Sequence, residues 1–249
     1  MALIQFTGLT KRYRDVTAVD DLTFTLAPGR VTGFVGANGA GKTTTIRALL
    51  GLTRPSAGTV TIDGLPYAQL SDPLRVVGAM VDPNVFHPRR TARNALRAIA
   101  RAADIPDPRV DDVLTQVGLA GAAHRRAGEF SMGMRQRLAL AAALLGDPET
   151  LVLDEPANGL DPEGVHWLRG LIRSMAAQGR TIFVSSHLLA ELAQTIDDVV
   201  VIAHGRLITH QPMADLLGQA PESSLEDVYL ALTASGEPSI PGTPLKERS

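Results

Sequence analysis

The stretch "GANGAGKTTT", residues 36–45, decides the fold of this protein. It follows the apolar run "VTGFV" and opens the helical pattern "KTTTIRALLG", so a buried strand, a glycine loop and a helix stand in succession. Its spacing matches Gly-x-x-x-x-Gly-Lys-Ser/Thr at Gly36, Gly41, Lys42 and Thr43. The glycines let the backbone turn inward, so that successive N–H groups and the positive end of the helix face one point. The stretch therefore predicts a phosphate-binding loop.

The same loop carries side chains suited to a nucleoside triphosphate and its metal ion. Lys42 is predicted to reach the β- and γ-phosphates, and the Thr43 hydroxyl to ligate Mg²⁺. The plainer interpretation is a glycine turn before an ordinary helix, but the strand before it and the helix after it favour nucleotide binding. The predicted nucleotide-binding residues of the loop are Gly36, Asn38, Gly39, Ala40, Gly41, Lys42, Thr43 and Thr44.

The rest of the chain reads as strands alternating with helices. Residues 1–30 alternate polar and apolar side chains, as short antiparallel strands do. Later apolar runs such as "TLVLD" and "TIFVSS" are separated by helical patterns, and residues 91–128 are Ala-rich and helical throughout. This order predicts an α/β fold whose mainly parallel sheet is covered on both faces.

Composition excludes several classes of protein. The chain has 249 residues, of which 45% are hydrophobic and 20% charged, the balance of an ordinary globular core. A formal net charge of −2 gives no global basic field, so we expect no nucleic-acid partner. The absence of cysteine excludes disulfides, thiolate metal sites and a cysteine nucleophile. Neither a signal peptide nor an apolar run of about 18 residues is present, so we expect a cytoplasmic protein that serves a membrane only from its surface.

Two acids end an apolar strand in "TLVLDEP", residues 150–156. Ligands of open α/β sheets bind at the carboxyl ends of the strands, where Asp154 is expected to hold Mg²⁺. Glu155 is expected to point the other way along the strand and to polarise a water molecule for attack on the γ-phosphate. A simple strand-end turn would also place two acids here, but the phosphate loop upstream favours the catalytic interpretation.

In order, the chain carries "GANGAGKTTT", "FSMGMRQR", "LVLDEPANGLDP" and "TIFVSSH". This series resembles the ATP-binding subunits of ABC transporters over roughly residues 3–232. The resemblance implies a P-loop NTPase core with an N-terminal antiparallel β subdomain and an inserted α-helical subdomain at about residues 84–147. The ATP-binding domain would span residues 1–232, and the Pro/Gly/Ser-rich residues 233–249 would form a disordered tail. ATP and Mg²⁺ are the implied cofactors, and two copies would pair head to tail around two ATP molecules.

The resemblance assigns further roles residue by residue. Tyr13, in "LTKRYRD", takes the place of an aromatic that stacks on adenine, although a plain strand tyrosine remains an alternative. Asp161, in "ANGLDP", is the main acid of a loop at the dimer interface and also suits a helix N-cap. His187, after "TIFVSS", would contact the γ-phosphate and help to hold the attacking water, because imidazole can donate while it stays neutral. The predicted catalytic residues are Glu155, His187 and Lys42.

One departure from the family pattern lies in "GAMVDPNVF", where a glutamine is usual. Here Asp82 takes its place, and an ionised acid can ligate Mg²⁺ but cannot donate a hydrogen bond. An Asp-Pro turn that ends the strand is the alternative interpretation. The predicted metal ligands are therefore Thr43, Asp154 and Asp82.

A second departure is the signature sequence, usually Leu-Ser-Gly-Gly-Gln and here "FSMGM". Ser131 is expected to cap the following helix and to hydrogen-bond a phosphate of the partner's ATP, while Gly133 lets the backbone approach closely. Met132 and Met134 are expected to pack laterally without blocking those groups. An ordinary capped helix is the alternative.

At these two places the sequence resembles a branch of ABC-2-type exporters that includes peptide-antibiotic and drug-resistance pumps. The resemblance implies an ATP-hydrolysing subunit that pairs with a second copy or a similar domain and with an integral membrane permease on a separate chain. It would then be peripheral to the cytoplasmic face of the membrane. The alternatives are the ATPase of an importer, a soluble ABC ATPase acting on ribosomes or DNA, and a catalytically inactive binding module.

Four arginines recur at a spacing of four: Arg89, Arg93, Arg97 and Arg101. On a helix they would share one face. A solvated face is the ordinary interpretation, and contact with permease loops or anionic lipid headgroups is the alternative.

Overall fold

The computed structural model describes residues 3–187, 193–218, 227, 228, 230 and 232. The strands in this part are β1 (Ile4–Tyr13), β2 (Val16–Leu26), β3 (Val31–Val35), β4 (Ala57–Ile62), β5 (Val77–Met80), β6 (Thr150–Asp154), β7 (Thr181–Ser186), β8 (Asp198–Ala203) and β9 (Arg206–Pro212). The α-helices are α1 (Lys42–Leu49), α2 (Pro73–Val76), α3 (Ala92–Ala102), α4 (Asp107–Gln116), α5 (Met132–Leu144), α6 (Pro162–Ala177) and α7 (Met213–Gly218). Short 3-10 turns occupy Tyr67–Gln69, Ala120–Ala122 and Ala127–Glu129.

The central sheet has six strands in the order β5-β6-β7-β3-β8-β9. The pairs β5–β6, β6–β7, β7–β3 and β3–β8 are parallel, and only β9 runs antiparallel to its neighbour β8. Strands β3, β6 and β7 are buried along their whole length, which explains why they read as continuous apolar runs. The predicted mainly parallel α/β sheet is confirmed.

A separate antiparallel sheet, β2-β1-β4, packs on the central sheet through phenylalanines. Phe6 and Phe24 stack with ring centroids 4.3 Å apart, and Phe34 and Phe183 of the central sheet lie 5.0 Å from each other. Phe24 is 5.9 Å from Phe34, so the aromatic cluster joins the two sheets. The predicted N-terminal antiparallel region is therefore confirmed.

Helices α3, α4 and α5 lie between β5 and β6 in the chain and share a buried cluster with the central sheet. The helical stretch predicted at residues 91–128 is divided, because Pro106 precedes α4 and the chain turns there. The limits of a helical subdomain at 84–147 and of a domain at 1–232 stay predictions. The predicted tail 233–249 lies outside the described residues.

The arginine row does not form a single helical face. Thr91 caps α3, so Arg89 precedes the helix. Arg93 and Arg97 turn toward α4, where they form ion pairs with Asp111 and Asp107. Spacing alone could not reveal these partners, because they come from the neighbouring helix.

No helix in the described part of the chain combines the length and the apolarity needed to cross a membrane.

Candidate functional site

The register of the central sheet brings three loops together at one edge. Asp154 at the end of β6 pairs with Ser185 of β7, and Val35 at the end of β3 pairs with Ser186. Because these strands are parallel, the loops that follow them leave the sheet on the same side. The glycine loop, the acidic strand end and the "SSH" turn therefore adjoin.

The glycine loop forms one wall of a cavity of about 190 Å³. The residues that line it are Ala18, Ala37, Asn38, Gly39, Gly41, Lys42, Thr43, Thr44 and Glu155. Gly41 has φ of 108°, and a Cβ there would lie 2.5 Å from the Ala18 carbonyl oxygen. Any larger residue at position 41 would clash with the backbone of β2, so the loop needs this glycine for packing as well as conformation.

Lys42 is buried at the base of the cavity and already has partners. Its Nζ donates to the Gly36 carbonyl at 2.6 Å and to the Ala37 carbonyl at 3.3 Å. The same atom lies 3.2 Å from Glu155 Oε1, as an ion pair. The ammonium is thus held between the loop backbone and the acid.

Thr43 and Asp154 form the next layer of the site. Thr43 Oγ1 donates to Asp154 Oδ2 at 2.7 Å, and Ser185 Oγ donates to Asp154 Oδ1 at 2.5 Å. Both oxygens of the buried carboxylate are therefore held by hydroxyl groups. Within the described residues, no group of three or more acidic, histidine or cysteine side chains converges. A metal ion here would have to take further oxygens from phosphate or water, as Mg²⁺ commonly does.

Glu155 does not continue the strand as the alternation predicted. Its φ is 49°, in the left-handed region, and its backbone N–H donates to Ser185 Oγ at 2.9 Å. This turn directs the carboxylate between two partners. Glu155 Oε1 lies 3.2 Å from Lys42 Nζ, and Glu155 Oε2 lies 2.8 Å from His187 Nδ1. The backbone conformation, rather than strand alternation, orients the acid.

His187 therefore faces Glu155 through Nδ1, which leaves Nε2 for any other partner. A neutral imidazole carries a proton on only one ring nitrogen. Donation to a phosphate from Nε2 by the neutral ring would thus remove the donor from the Glu155 contact. A ring that donates both to Glu155 and to a phosphate must therefore carry a proton on each nitrogen.

The signature residues lie at the start of α5 and do not line the cavity that the described residues form around the glycine loop. Ser131 is the N-cap, and its Oγ accepts from the Met134 N–H at 3.2 Å. The Met132 side chain covers Gly159, which has φ of 75°; a Cβ there would lie 2.6 Å from the Met132 sulfur. A Cβ on Gly133 would lie 3.3 Å from the Gly159 carbonyl oxygen. The signature turn and the loop after the acidic strand therefore pack as one unit.

The predicted residues Asp161, Tyr13 and Asp82 also lie away from this cavity within the described residues. Asp161 caps α6, with Oδ1 accepting from the Gly164 N–H at 2.8 Å. Tyr13 is exposed, with its hydroxyl 3.3 Å from Thr53 Oγ1 and its ring centroid 4.8 Å from the Lys11 ammonium. Asp82 Oδ1 accepts from the Asn84 N–H at 2.8 Å, the contact that the turn interpretation requires.

Sequence reasoning missed two contacts in the site. Ser185 links Asp154 to Glu155, and its position at the end of a buried strand was the available signal. Gln136, a buried polar residue in the apolar part of α5, donates from Nε2 to the Asn158 carbonyl at 2.9 Å. This bond ties the signature helix to the loop after the acidic strand. A glutamine on the core-facing side of a helix would have indicated such a partner.

Comparison with known proteins gives consistent matches. A sequence model of the ABC transporter family matches residues 19–158. The bacitracin transport ATP-binding protein BcrA of Bacillus licheniformis is 43% identical over 217 residues, which cover 86% of this chain and 71% of that protein. The Nod factor export ATP-binding protein I of Burkholderia lata is 39% identical over 213 residues, which cover 84% of this chain and 70% of that protein.

Solved structures share the fold. An ATP-binding subunit of an ABC transporter has a TM-score of 0.83 at 28% identity and covers 93% of this chain and 99% of its own. A dimeric ATP-binding cassette in a post-hydrolysis state, bound to ADP and phosphate, has a TM-score of 0.78 at 20% identity, covering 84% of this chain and 98% of its own. At that identity the second likeness shows the fold alone.

Proposed function

This chain belongs to the ABC transporter family as an ATP-binding and ATP-hydrolysing subunit, and from that membership we propose that it powers export through a separate membrane protein. The observation that carries the catalytic part is the position of Glu155, held between Lys42 and His187 beside the glycine-loop cavity. A carboxylate so placed is suited to act as a general base at the phosphate end of a nucleotide.

The proposed reaction proceeds in one displacement step. The triphosphate lies along the loop amides, and Lys42 turns from the Gly36 carbonyl to the β- and γ-phosphates. Glu155 takes a proton from water, the water oxygen bonds to the γ-phosphorus, and the bond from that phosphorus to the bridging oxygen breaks. ADP and inorganic phosphate leave. His187 holds Glu155 through Nδ1 and, when both ring nitrogens carry protons, donates from Nε2 to the γ-phosphate.

Thr43 and Asp154 fit the requirements of a Mg²⁺ site. Their oxygens are 2.7 Å apart, Thr43 lines the cavity, and hydroxyl plus carboxylate is a donor set that Mg²⁺ accepts together with phosphate oxygens. The ion would neutralise charge on the β- and γ-phosphates. Asp82 is a weaker candidate ligand, because among the described residues its carboxylate bonds to the Asn84 N–H and makes no contact with Thr43 or Asp154.

A second copy is proposed to complete each ATP site. Ser131 is exposed at the N-terminus of α5, where the unpaired N–H groups and the helix dipole suit a phosphate from outside. Gly133 keeps that end free of a side chain, and Asp161 follows the loop against which it packs. These features suit a head-to-tail pair in which each signature helix meets the partner's nucleotide. Tyr13, exposed at the end of β1, is proposed to stack on the adenine.

An apolar groove is proposed to receive a cytoplasmic helix of the membrane subunit. It has a volume of about 510 Å³ between α1, β5 and the inserted helices. Its lining includes Leu52 and Val85, which are 67% and 66% exposed, and Asp82 stands at its edge. Large exposed apolar side chains around a groove are typical of a helix-binding surface. Asp82, as part of the lining, would then adjoin the membrane subunit.

The exporter assignment rests on the relatives. Two of them are named for bacitracin transport and for Nod factor export. The same family contains importers, so an importer subunit is the second candidate within transport. The proposed location is the cytoplasmic face of the membrane, where the chain would act as a peripheral subunit.

Two valines allow a matched test of this assignment. The chain is purified from detergent-solubilised native membranes, and co-purifying proteins are identified by mass spectrometry. We expect an integral membrane subunit, which is lost in Val85→Glu and kept in Val16→Glu, because Val16 is 65% exposed but lies on the β1–β2 hairpin. Co-purification with ribosomes or DNA instead, or equal loss in both variants, would contradict the proposal. Vesicle transport assays with ATP on the side that carries this chain then separate the two directions, because an exporter moves substrate away from that side and an importer moves it toward that side.

A further inference from the structure

Two chain segments are joined side by side next to the start of α3. Residues 88–93 and 123–128 form an isolated bridge between Thr91 and Arg126. Four backbone hydrogen bonds connect them, namely Ala92 N to Arg125 O at 3.1 Å, Arg93 N to Ala123 O at 3.0 Å, Ala127 N to Arg90 O at 2.9 Å and Gly128 N to Pro88 O at 3.0 Å. The side chains on these segments therefore stand on one fixed backbone support.

The joined segments carry a concentration of basic side chains. Six exposed basic residues on and next to these segments form a surface that we call the cationic ridge: His87, Arg89, Arg90, His124, Arg125 and Arg126. Among the described residues no acid forms an ion pair with any of them. Arg125 donates to the backbone carbonyl of Glu129 at 3.1 Å, not to its carboxylate. The ridge thus keeps its positive charge on a chain whose formal net charge is −2.

In contrast to the ridge, two neighbouring arginines of α3 have acidic partners. Arg93 Nη2 lies 2.5 Å from Asp111 Oδ2, and Arg97 pairs with Asp107. The hydrogen bond from Arg97 lowers the pKa of the Asp107 carboxyl, which keeps that acid ionised beside its partner. Charge on the α3–α4 face is therefore balanced, whereas charge on the ridge is not.

The ridge borders the proposed membrane-protein groove. A cavity of about 220 Å³ touches both ridge segments through Pro88, Ala127 and Gly128, and Phe86 lines both this cavity and the groove. Exposed Val85 lines the groove and lies two residues before His87, the first residue of the ridge. A basic surface beside exposed apolar side chains is the combination that membrane-surface proteins use.

We propose that the cationic ridge binds the anionic lipid headgroups around the membrane subunit. The proposal rests on the proposed function, because it assumes that the groove faces a membrane. Guanidinium groups match phosphate oxygens with paired N–H donors and keep their charge at every physiological pH. Each arginine near an anionic surface adds to binding, and the attraction fades within a Debye length. The ridge would hold the subunit flat against the bilayer while the groove takes the permease helix.

The test is flotation of the purified full chain with vesicles, without permease or ATP. Vesicles of phosphatidylcholine with phosphatidylglycerol are compared with phosphatidylcholine alone, at low and at raised salt. One variant removes three ridge charges by Arg89→Gln, Arg90→Gln and Arg126→Gln. The matched control removes three exposed charges elsewhere by Arg12→Gln, Arg14→Gln and Arg54→Gln. Equal melting temperatures confirm that both variants fold.

We expect salt-sensitive flotation with the anionic vesicles only, weakened about tenfold to a hundredfold in the ridge variant and little changed in the control. Equal flotation with neutral vesicles, or equal loss in the two variants, would overturn the proposal. The proposal would also be overturned if the chain bound a polyglutamate peptide but did not float with any vesicles, because the ridge would then suit an acidic protein partner. ATPase activity is measured in parallel: an active chain that fails to float rejects the ridge and leaves the proposed function standing.

Discussion

Thr43 Oγ1 donates a 2.7 Å hydrogen bond to Asp154 Oδ2, although 111 residues separate the two in the chain. The first turn of α1 and the end of β6 meet in this contact, so the glycine loop and the acidic strand act as one site. Ser185 completes it from β7, donating to the other carboxylate oxygen at 2.5 Å and accepting from the Glu155 N–H at 2.9 Å. Three elements thus define the position of two acids.

Ser185→Ala is expected to damage both stability and turnover. It leaves the partly buried Glu155 N–H and one oxygen of buried Asp154 without their partner, at a cost of about 1–3 kcal/mol in the free energy of unfolding. We expect ATPase activity to fall roughly tenfold, since misplacement of the acids raises the barrier by about 1.4 kcal/mol. Urea unfolding and steady-state ATPase assays measure the two effects.

Thr32→Val is the control for this variant. Thr32 Oγ1 is buried in β3 but makes no hydrogen bond among the described residues. Replacing that hydroxyl by a methyl group should be neutral or stabilising. If both variants lose the same stability, the loss reflects the removal of any buried hydroxyl and the role of Ser185 is refuted.

Glu155→Gln should bind ATP and hardly turn it over. The amide keeps the length and the left-handed backbone of Glu155 but cannot accept the water proton, and a general base contributes about 10²–10⁴-fold to a rate. We expect an ATP-dependent dimer that persists on size-exclusion chromatography with light scattering. Hydrolysis at the parental rate would show that another group is the base. Glu163→Gln, an exposed acid in the first turn of α6, should leave turnover unchanged.

Gly159→Ala should be rescued in part by Met132→Ala. The single glycine substitution places a Cβ at φ of 75° and 2.6 Å from the sulfur of the flexible, half-exposed Met132 side chain, so we expect it to cost about 1–2 kcal/mol of stability. Removing the methionine side chain leaves only the backbone term of about 1 kcal/mol. A double-mutant cycle by chemical denaturation measures the coupling. Additive single effects would mean that Met132 does not pack on this loop.

Substitutions at Asp82 separate a metal ligand from a turn. Asp82→Asn keeps an acceptor for the Asn84 N–H but loses the charge, whereas Asp82→Ala loses both. If Asp82 serves the metal or the coupling, both variants should slow transport or raise the Mg²⁺ concentration needed for half-maximal ATPase activity. If only the turn matters, the asparagine variant should behave as the parent. Unchanged transport in both would remove Asp82 from the mechanism.

The fold was predictable where its determinants are local. The glycine spacing before Lys42 and the apolar strands that precede Gly36 and Asp154 are local patterns, and they led to the parallel sheet. That Thr43 meets Asp154 also follows, because parallel strands deliver their loops to one edge. The resemblance added the roles of His187 and Ser131, which no pattern in the residues could have supplied, and those roles remain proposals.

The remaining features depend on contacts between distant segments. The left-handed conformation of Glu155 is set together with the Ser185 hydroxyl on the next strand, so strand alternation alone does not account for it. Arg93 and Arg97 find acids on α4, whose packing cannot be read from their own spacing. In both cases tertiary partners override a correct local pattern.

The left-handed backbone at Glu155 means that stability and activity favour different residues at this one position. Seven non-glycine residues in the described chain have positive φ, and four of them are aspartates, whose short side chains tolerate it. A glutamate there carries strain of about 1–2 kcal/mol, which Asn or Gly would relieve. Substitution of Glu155 by either residue would therefore give a more stable protein that no longer hydrolyses ATP. Directed evolution that selects only for thermal stability should therefore recover inactive variants substituted at position 155. Selection for ATP hydrolysis would retain Glu155.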